Sequence, residues 1–401
     1  MKQVLFVIAI VLLAGWAQAA EPFYASELIF PIENWHNHGS CIVEAPNGDL
    51  LVCWFHGSGE RRSDDVLIRG ARKVKAASKW TPPFLMADTP GFPDTNCCMI
   101  IDPEERLWLF WPTIQANTWE SALMKYKTST DYMSSTGPPK WDLMRVLHMK
   151  PGEEFESIVR AKTEEYIAGR EVTDRTQRWV DGNYAQAADK LTRRIGWFTR
   201  AHPKFLDDGR MLLGLYSDGF SFSMVAYTDD LGKSWQYSEP IVGGGNIQPS
   251  FARKKDGTIV AYMRDNGPLP KKIHVAESKD RGETWSKVAD HPQLNNPGSG
   301  LELMNMSDGD WMCVYNDEPR GRHSLAVSIS DDEGKTWKWT RHLELAEAGT
   351  GSFHYPSVIE GSEGNFHVSY SYFIDKPESA RGKSIKYATF NKAWVMEGDP
   401  E

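Results

Sequence analysis

The sequence is poor in cysteine and has none of the common metal-binding spacings. It contains five cysteines, with no C-x-x-C pair and no H-E-x-x-H motif, so we predict neither a metal nor another cofactor. All five lie inside apolar, strand-like runs, which favours core packing over a disulfide framework. They are Cys41, Cys53, Cys97, Cys98 and Cys313. A disulfide bridge between Cys41 and Cys53 is the alternative that the sequence does not decide.

An excess of positive charge is also missing. The 45 Lys and Arg residues are outnumbered by 54 Asp and Glu, which gives a net charge of −9. Such a balance argues against nucleic acid as a partner, although a local group of cations can still bind an anionic ligand. Hydrophobic residues make up 41% of the chain, and 16 Trp with 33 Gly favour a soluble all-β protein with many short strands and tight turns.

Long apolar runs are absent except for one near the N-terminus. Lys2 precedes an apolar stretch at residues 4–16, and Ala17-Gln18-Ala19 follows it. This order is typical of a signal peptide, and the stretch is short for a membrane span. We therefore predict that residues 1–20 are a cleaved signal peptide. Residues 21–401 would form a secreted or periplasmic protein with no membrane span.

The sequence is rich in one repeated octet. The pattern S-x-D-x-G-x-T-W fits residues 278–285 and 330–337 at every fixed position, and residues 228–235 fit with Thr and Ser exchanged. The copies lie about 50 residues apart, a period typical of repeat architectures. We expect the Asp to accept hydrogen bonds from nearby backbone N–H groups, the Gly to adopt a positive φ, and the Trp to pack against the sheet.

A second series of turns runs in step with the octets. Asn-Gly, Asp-Gly or Glu-Gly pairs precede apolar runs at 47–48, 208–209, 256–257, 308–309 and 363–364, and a weaker turn lies at 102–106. These turns predict six hairpins. With the octets and their remnants they predict a single six-bladed β-propeller over residues 21–401, with seven blades as the alternative. We expect a strand at 26–32 to complete the last blade beside 385–390 and close the ring.

Residues 152–196 interrupt the strand pattern and indicate helices. Phe155, Ile158, Val159 and Lys162 recur at helical spacing, and residues 185–195 are rich in helix formers. The segment follows the outer strand of the second blade. We predict a helical insertion on the pocket face that walls or covers the pocket, and the alternative is an excursion remote from the ligand.

The propeller geometry predicts where a ligand binds. If the glycine turns and the octets share one face of the disc, the remaining connections surround the axis on the other face. Residues that begin an innermost strand or end a second strand then line one pocket. Polar, aromatic and cationic side chains there suit a sugar, with arginines for a carboxylate. The candidate substrate-binding residues are Asn96, His202, Tyr216, Gln248, Arg264, Asn266, Arg322 and His354, and the candidate catalytic residues are His38, Asp64, Asp65 and Tyr355.

These residues resemble the sialidase superfamily, specifically the bacterial neuraminidase repeat proteins, whose Asp-boxes the octets match. In this resemblance Arg264 and Arg322 correspond to two arginines of the carboxylate-binding triad. Tyr355, in the run F-H-Y-P-S, corresponds to the tyrosine nucleophile, and Asp64 or Asp65 to the aspartate acid/base. The resemblance implies a secreted exo-glycosidase that hydrolyses a terminal acidic sugar from glycans. The arginines would clamp the carboxylate, the tyrosine would attack the anomeric carbon, and the aspartate would protonate the leaving oxygen.

The sequence departs from the family pattern at two places. Residues 36–40 read H-N-H-G-S where sialidases have an F-R-I-P motif with the third arginine, and residues 246–247 replace a glutamate. The first departure is similar to a divergent branch and motivates a second hypothesis, a histidine-dependent glycosidase or lyase on uronic-acid-containing polysaccharide. Its acid/base would be His38, His202 or His354. The third hypothesis is a glycan-binding propeller without catalysis.

Overall fold

The chain folds into a ring of six four-stranded antiparallel sheets, each forming one blade. The computed structural model describes residues 20–375 and 381–400, and the predicted signal peptide lies outside this range except for Ala20. The six-bladed propeller is confirmed, and the alternative of seven blades is wrong. In chain order the strands are β1 (Tyr24–Leu28), β2 (His36–Glu44), β3 (Leu50–Gly57), β4 (Leu67–Lys73), β5 (Phe84–Ala87), β6 (Cys98–Ile101), β7 (Leu107–Ile114), β8 (Ala122–Ser129), β9 (Leu143–Val146), β10 (Lys204–Phe205), β11 (Met211–Ser217), β12 (Phe222–Thr228), β13 (Gln236–Tyr237), β14 (Asn246–Arg253), β15 (Ile259–Asp265), β16 (Lys272–Ser278), β17 (Ala289–Asn295), β18 (Glu302–Asn305), β19 (Trp311–Tyr315), β20 (Ser324–Ser330), β21 (Trp339–Leu345), β22 (Gly351–Glu360), β23 (Phe366–Asp375) and β24 (Arg381–Phe390).

The N-terminal strand closes the ring. Blades 1 to 5 take four consecutive strands each, from β2–β5 to β18–β21, whereas blade 6 has the order β22-β23-β24-β1 from the axis outward. In that blade β1 pairs antiparallel with β24, from Tyr24 opposite Phe390 to Leu28 opposite Lys386. The first and last strands of the described chain therefore share one blade, which protects the edge that an open ring would expose.

The octets form the turns between the third and fourth strands of blades 3, 4 and 5. In the last copy, Asp332 accepts hydrogen bonds from the backbone N–H of Thr336 and the hydroxyl of Ser330, both at 2.8 Å, and Gly334 has φ = 78°. Trp337 is buried against the sheet. The other two copies repeat these aspartate contacts, so the predicted turn chemistry is confirmed.

The predicted insertion contains two helices, α1 (Phe155–Ile167) and α2 (Asp174–Ala188), and a shorter helix, α3 (Lys392–Met396), follows β24. Short 3₁₀ turns lie at Trp119–Ser121 and Thr192–Arg194. The α2 helix begins after Thr173, whose side-chain oxygen accepts from the backbone N–H of Thr176 at 3.2 Å, a typical N-cap. Among the described residues, every helix is too short or too polar to cross a membrane.

The cysteines pack inside the molecule. Cys41 and Cys53 face each other across β2 and β3, yet both are free thiols, as are the other three. All five are buried, so core packing is confirmed and the Cys41–Cys53 bridge is not formed.

A buried arginine crosses the middle of the propeller. Arg200, 3% exposed, donates to the backbone oxygen of Ser40 at 3.0 Å and to that of Tyr355 at 2.6 Å. The guanidinium thereby joins the inner parts of blades 1 and 6 to the segment that leads into blade 3. The same hydrogen bond fixes the backbone of Tyr355.

A buried histidine–glutamate pair lies farther along the same axis. One carboxylate oxygen of Glu302 accepts from the backbone N–H and from Nδ1 of His202, both at 2.8 Å, and the other accepts from the backbone N–H of Val358 at 3.1 Å. Nε2 of His202 lies 2.7 Å from the backbone oxygen of Ile42. Since a carbonyl and a carboxylate only accept, both ring nitrogens carry protons. The pair links blades 1, 3, 5 and 6.

Candidate active site

A cavity of about 290 Å³ opens around the axis, on the face opposite the octets. Its lining comes from the starts of innermost strands, the ends of second strands and the loops that follow them, as the propeller geometry predicts. The lining residues are His38, Phe55, Glu60, Asn96, Trp119, Tyr216, Asp218, Gln248, Arg264, Asn266, Arg322 and Tyr355. Eight of the twelve predicted site residues therefore meet in one cavity.

Three innermost strands carry a bulge at the cavity end. The register breaks between His38 and Cys41, between Ile247 and Ser250, and between His354 and Ser357. In each break one residue adopts a left-handed backbone, with φ = 62° at Gly39, 59° at Gln248 and 54° at Tyr355. A bulge re-aims the neighbouring side chains, and a non-glycine residue in this conformation costs about 1–3 kcal/mol. The strain falls on Gln248 and Tyr355, which both point into the cavity.

Tyr355 lies between two arginines. Its hydroxyl accepts from Nη1 of Arg264 at 2.9 Å, and the guanidinium of Arg322 lies 5.6 Å from its ring centre. Burial alone would raise the pKa of Tyr355, but the charges of Arg264 and Arg322 and the hydrogen bond from Gln248 lower it below its ordinary value of 10.0. A phenol with a lowered pKa is the better nucleophile.

Both arginines remain available to an anion. The second terminal nitrogen of Arg264 donates to the side-chain oxygen of Asn266 at 3.1 Å, and Arg322 donates to the backbone oxygen of Gly298 at 2.8 Å. Within residues 20–375 and 381–400, the side-chain hydrogen bonds of the two guanidinium groups go to neutral oxygens, those of Tyr355, Asn266 and Gly298. Two cations beside one phenol can bind a carboxylate with paired hydrogen bonds.

Tyr216 lies beside Tyr355 in the cavity wall, since the side-chain nitrogen of Gln248 contacts both hydroxyls. Its hydroxyl accepts from the side-chain nitrogen of Asn96 at 2.8 Å and from that of Gln248 at 3.2 Å. Burial raises the pKa of Tyr216 well above 10.0, so the phenol keeps its proton. With two N–H donors already directed at its oxygen, that proton is available to an acceptor in the cavity.

His38 occupies the place where the family motif has an arginine. Its Nδ1 lies 2.9 Å from the hydroxyl of Ser371, which also accepts from the backbone N–H of Gly39. Its ring centre is 4.5 Å from that of Tyr355. Burial, followed by repulsion from neighbouring His354, lowers the pKa of His38 well below 6.5. The cavity therefore contains a neutral imidazole where a third guanidinium was expected from the family pattern.

Two carboxyl groups of the cavity, Glu60 and Asp218, were missed by the sequence prediction. Oε1 of Glu60 lies 3.1 Å from Nε2 of His36, and although burial opposes it, this contact lowers the pKa of Glu60. Burial raises the pKa of Asp218, although the charge of Arg264 acts in the opposite direction. Asp218 follows the end of β11 and could have been found by the rule that found Tyr216. Glu60 lies in the same loop as Asp64.

Asp64 and Asp65 do not line the cavity, so their predicted placement is corrected. Asp65 accepts from the backbone N–H of Ser58 at 3.2 Å and from its hydroxyl at 2.8 Å, which makes it a cap of its own loop. Asp64 accepts from the side chain of Asn117 at 2.7 Å and ties the loop to blade 2. Both are exposed. The loop after β3 folds back so that Glu60 faces the axis.

His202 and His354 also lie outside the cavity lining. In blade 3 the residue that pairs with the cavity residue Tyr216 is Phe198. His202 follows four positions later, so it lies farther from the cavity along the axis, in the buried pair with Glu302. His354 precedes the bulged Tyr355, and its ring packs behind the cavity, 4.6 Å from that of His38 and 4.7 Å from that of Phe373. His354 is displaced by the bulge in β22. His202 is displaced because it lies in the irregular segment before β10, which begins only at Lys204.

The helical insertion touches the loops of the pocket face but supplies no lining residue. The side-chain nitrogen of Gln186 reaches the backbone oxygen of Gly219 at 3.2 Å, beside Asp218. At its other end, Lys162 donates to the backbone oxygen of Trp285 at 3.1 Å. The insertion therefore stands beside blades 3 and 4 and does not cover the cavity, which corrects the expectation of a lid.

Fold and cavity together define a class of protein, a six-bladed propeller of the sialidase type with two arginines and a tyrosine at its axis. The sequence matches the family described as "BNR repeat-like domain" over residues 48–173 and 164–368. Because this match covers most of the chain, the protein belongs to the BNR repeat-like family of the sialidase superfamily.

Several known proteins that are similar to this chain are sialidases by name. The anhydrosialidase of Macrobdella decora is 25% identical over 181 residues, which are 40% of this chain but only 23% of that protein. The intramolecular trans-sialidase of Ruminococcus gnavus superposes with a TM-score of 0.65 and 12% identity, covering 90% of this chain and 95% of that one. The NanB sialidase of Streptococcus pneumoniae gives a TM-score of 0.65 at 11% identity, covering 92% and 71%. At such identities the structures show a shared fold.

Proposed function

We propose that the protein is a secreted exo-glycosidase that hydrolyses a terminal acidic sugar from glycans. The observation that carries the proposal is the contact between the Tyr355 hydroxyl and Arg264, with Arg322 against the same ring. This places two cations and a polarised phenol together in one cavity. The names of the similar proteins support the same reaction class.

In the proposed mechanism the sugar carboxylate binds between Arg264 and Arg322. The anomeric carbon then lies against the Tyr355 oxygen. In its phenolate form, which the charges of Arg264 and Arg322 favour, this oxygen attacks the carbon while the bond to the leaving oxygen breaks. A tyrosine nucleophile is an established exception to the two-carboxylate scheme of glycosidases. In a second step water attacks the glycosyl–tyrosine and gives a proton to the ionised acid carboxyl while the phenolate leaves, so that both groups return to their starting forms.

The leaving oxygen needs a proton. Of the two carboxyl groups in the cavity, Asp218 is a better proton donor than Glu60. Environments that push the pKa values of two carboxyl groups apart assign acid and base roles. Burial raises the pKa of Asp218, so it keeps its proton to higher pH, whereas His36 holds Glu60 ionised. Asp218 replaces Asp64 and Asp65 in the proposed role, since both of those lie outside the cavity.

This assignment predicts a difference between two matched variants. Asp218→Asn should lower kcat/KM on natural glycosides by about 10²–10⁴-fold, the usual contribution of a general acid. The loss should largely disappear on aryl glycosides with a good leaving group, which needs no proton. Glu60→Gln should show a smaller loss that is the same on both substrates. The opposite pattern would assign the proton to Glu60.

The substrate class is tested by turnover on a panel of glycans. Exported protein, whose N-terminus is expected at residue 20 or 21, is incubated with sialylated, uronic-acid-terminated and neutral glycans. Release of a terminal acidic sugar alone supports the proposal. Binding to acidic glycans without release of any sugar would favour the non-catalytic propeller.

One observation favours a second candidate, a histidine-dependent hydrolase or lyase on uronic-acid polysaccharide. The imidazole of His38 lines the cavity and its lowered pKa keeps it neutral, which suits a general base. A lyase leaves an unsaturated sugar that absorbs ultraviolet light, and a hydrolase does not. His38→Ala would abolish either form of histidine-dependent activity, while Tyr355→Phe would remain active.

A further inference from the structure

The loop between β11 and β12, which carries Asp218, is held by the helical insertion. Nε2 of Gln186, on α2, donates to the backbone oxygen of Gly219 at 3.2 Å. One turn earlier, the amide of Asn183, oriented to satisfy both of its neighbours, donates to the backbone oxygen of Phe220 at 3.0 Å. Two successive carbonyls of the loop are thus bound to one helix.

The same loop is also packed against α1. Phe220 is 1% exposed, and its ring centre lies 5.7 Å from that of Phe155 and 5.6 Å from that of Trp197. Phe155 is the first residue of α1. The loop therefore has an apolar anchor as well as two hydrogen bonds, all of them outside the cavity.

A second contact path leads from α1 to the arginines. The hydroxyl of Tyr166 lies so close to Gly244 that a Cβ on this glycine would be 2.1 Å from it. The backbone oxygen of Gly245 accepts from the backbone N–H of Asn266 at 2.8 Å. The side-chain oxygen of Asn266 accepts in turn from Arg264 at 3.1 Å. Only glycine at position 244 allows this approach.

We propose that the insertion positions the catalytic loops, with Gln186 and Asn183 fixing the loop of Asp218 and Tyr166 fixing the loop of Asn266. It acts from behind the cavity wall, so none of these three residues touches substrate. The part of this inference that concerns catalysis rests on the proposed function. The part that concerns loop order does not.

The positioning has a chemical consequence. Asp218 keeps a raised pKa because it is buried, and a loop that moves outward would admit water to its carboxyl. The pKa of Asp218 would then fall towards its ordinary value of 3.8, and the carboxyl would lose its proton at a lower pH. Displacing a catalytic group by about 1 Å can lower a rate 10²-fold.

Three variants and a control test the proposal. Gln186→Ala and Asn183→Ala each remove one contact to the Asp218 loop, and Tyr166→Phe removes only a hydroxyl. The control is Gln177→Ala, because Gln177 lies on the same helix and its exposed side chain bonds to Asp181 of that helix, at 2.8 Å, and to no loop of the part of the chain that the structure describes. Hydrogen exchange of peptides that cover residues 217–222 and 243–247 is measured in each protein, together with its melting temperature.

We expect exchange at 217–222 to rise about tenfold in Gln186→Ala and Asn183→Ala, and exchange at 243–247 to rise in Tyr166→Phe, at nearly unchanged melting temperature. In Gln186→Ala, kcat should fall about tenfold at unchanged KM, and the alkaline limb of the pH profile of kcat should move to lower pH. Gln177→Ala should match the wild type in every measurement.

The outcomes separate this inference from the proposed function. Exchange in both loops equal to that of Gln177→Ala would overturn the positioning role, whatever the enzyme turns over. Faster exchange in the insertion variants would confirm that the insertion holds the loops. If the protein then turned over no glycan, the proposed function would be wrong while the positioning role remained. A lower kcat with an unmoved pH profile would contradict the role assigned through Asp218.

Discussion

Replacing Tyr355 by Phe is expected to lower kcat by at least about 10³-fold, which corresponds to roughly 4 kcal/mol of transition-state stabilisation. The substitution removes one oxygen, the atom that accepts from Arg264 and is expected to attack the sugar. The arginines and the cavity shape remain. Binding of the acidic sugar should therefore stay within about threefold of the wild type, because the carboxylate contacts do not involve the phenol.

A second phenol in the same cavity provides the control for this experiment. Tyr216→Phe also removes one hydroxyl from the cavity wall, but that hydroxyl has a raised pKa and lies between two amides. Its loss should lower kcat/KM by about 10-fold, the effect of one hydrogen bond. Equal losses in the two variants would show that Tyr355 has no special role. Full activity of Tyr355→Phe would favour the histidine-dependent candidate.

Replacing Glu302 by Gln is expected to destabilise the fold by about 3–5 kcal/mol, the usual cost of removing one partner of a buried ion pair. The carboxylate accepts three N–H donors, two of them from His202. An amide has one oxygen, so its nitrogen would face a donor, and the imidazolium of His202 would lose its counter-charge. The free energy of unfolding from denaturant titration gives the result.

This pair also predicts a pH dependence of stability. Although burial opposes it, the negative charge of Glu302 and its hydrogen bond raise the pKa of His202 well above 6.5. Burial alone would raise the pKa of Glu302, but the charge of His202 lowers it below 4.5. The stability that His202 contributes is fully present below pH 6.5 and is lost as the pH rises through the raised pKa of the folded state. The stability that Glu302 contributes is fully present above pH 4.5 and is lost as the pH falls through the lowered pKa of the folded state.

The stabilisation from the pair should therefore be largest between pH 4.5 and 6.5, and Glu302→Gln should cost most in that window. A matched substitution, Glu156→Gln, breaks a half-exposed pair with Arg160 on α1 and should cost about 0.3 kcal/mol. A cost for Glu302→Gln as small as that of Glu156→Gln would contradict the account of the buried pair.

The fold could be predicted from sequence because each blade repeats local signals. The octet places Asp, Gly and Trp within eight positions, and its turn geometry depends only on those residues, as the contacts of Asp332 show. The closing strand was predicted for a different reason, since an open blade exposes an edge. Strand ends were less accurate: β1 begins at Tyr24, before the predicted start at residue 26.

The site was predicted where regular strands carry it and missed where loops do. Tyr216, Gln248 and Arg264 follow from strand order alone, because every blade directs the same strand ends to the axis. Glu60 and Asp64 belong to one loop, and only the folding of that loop decides which carboxylate faces the cavity. His202 was misplaced because the chain that leads into blade 3 is irregular, and no local signal marks this.

The most direct test of the central claim is to identify the residue that becomes glycosylated. The protein is incubated with fluorinated glycosyl fluorides of acidic sugars, which slow the release of a glycosyl-enzyme, and is then digested and measured by mass spectrometry. The account predicts an added sugar on the peptide that contains Tyr355, and none in Tyr355→Phe. Turnover with the sugar attached to another residue, or with no attached sugar at all, would contradict it.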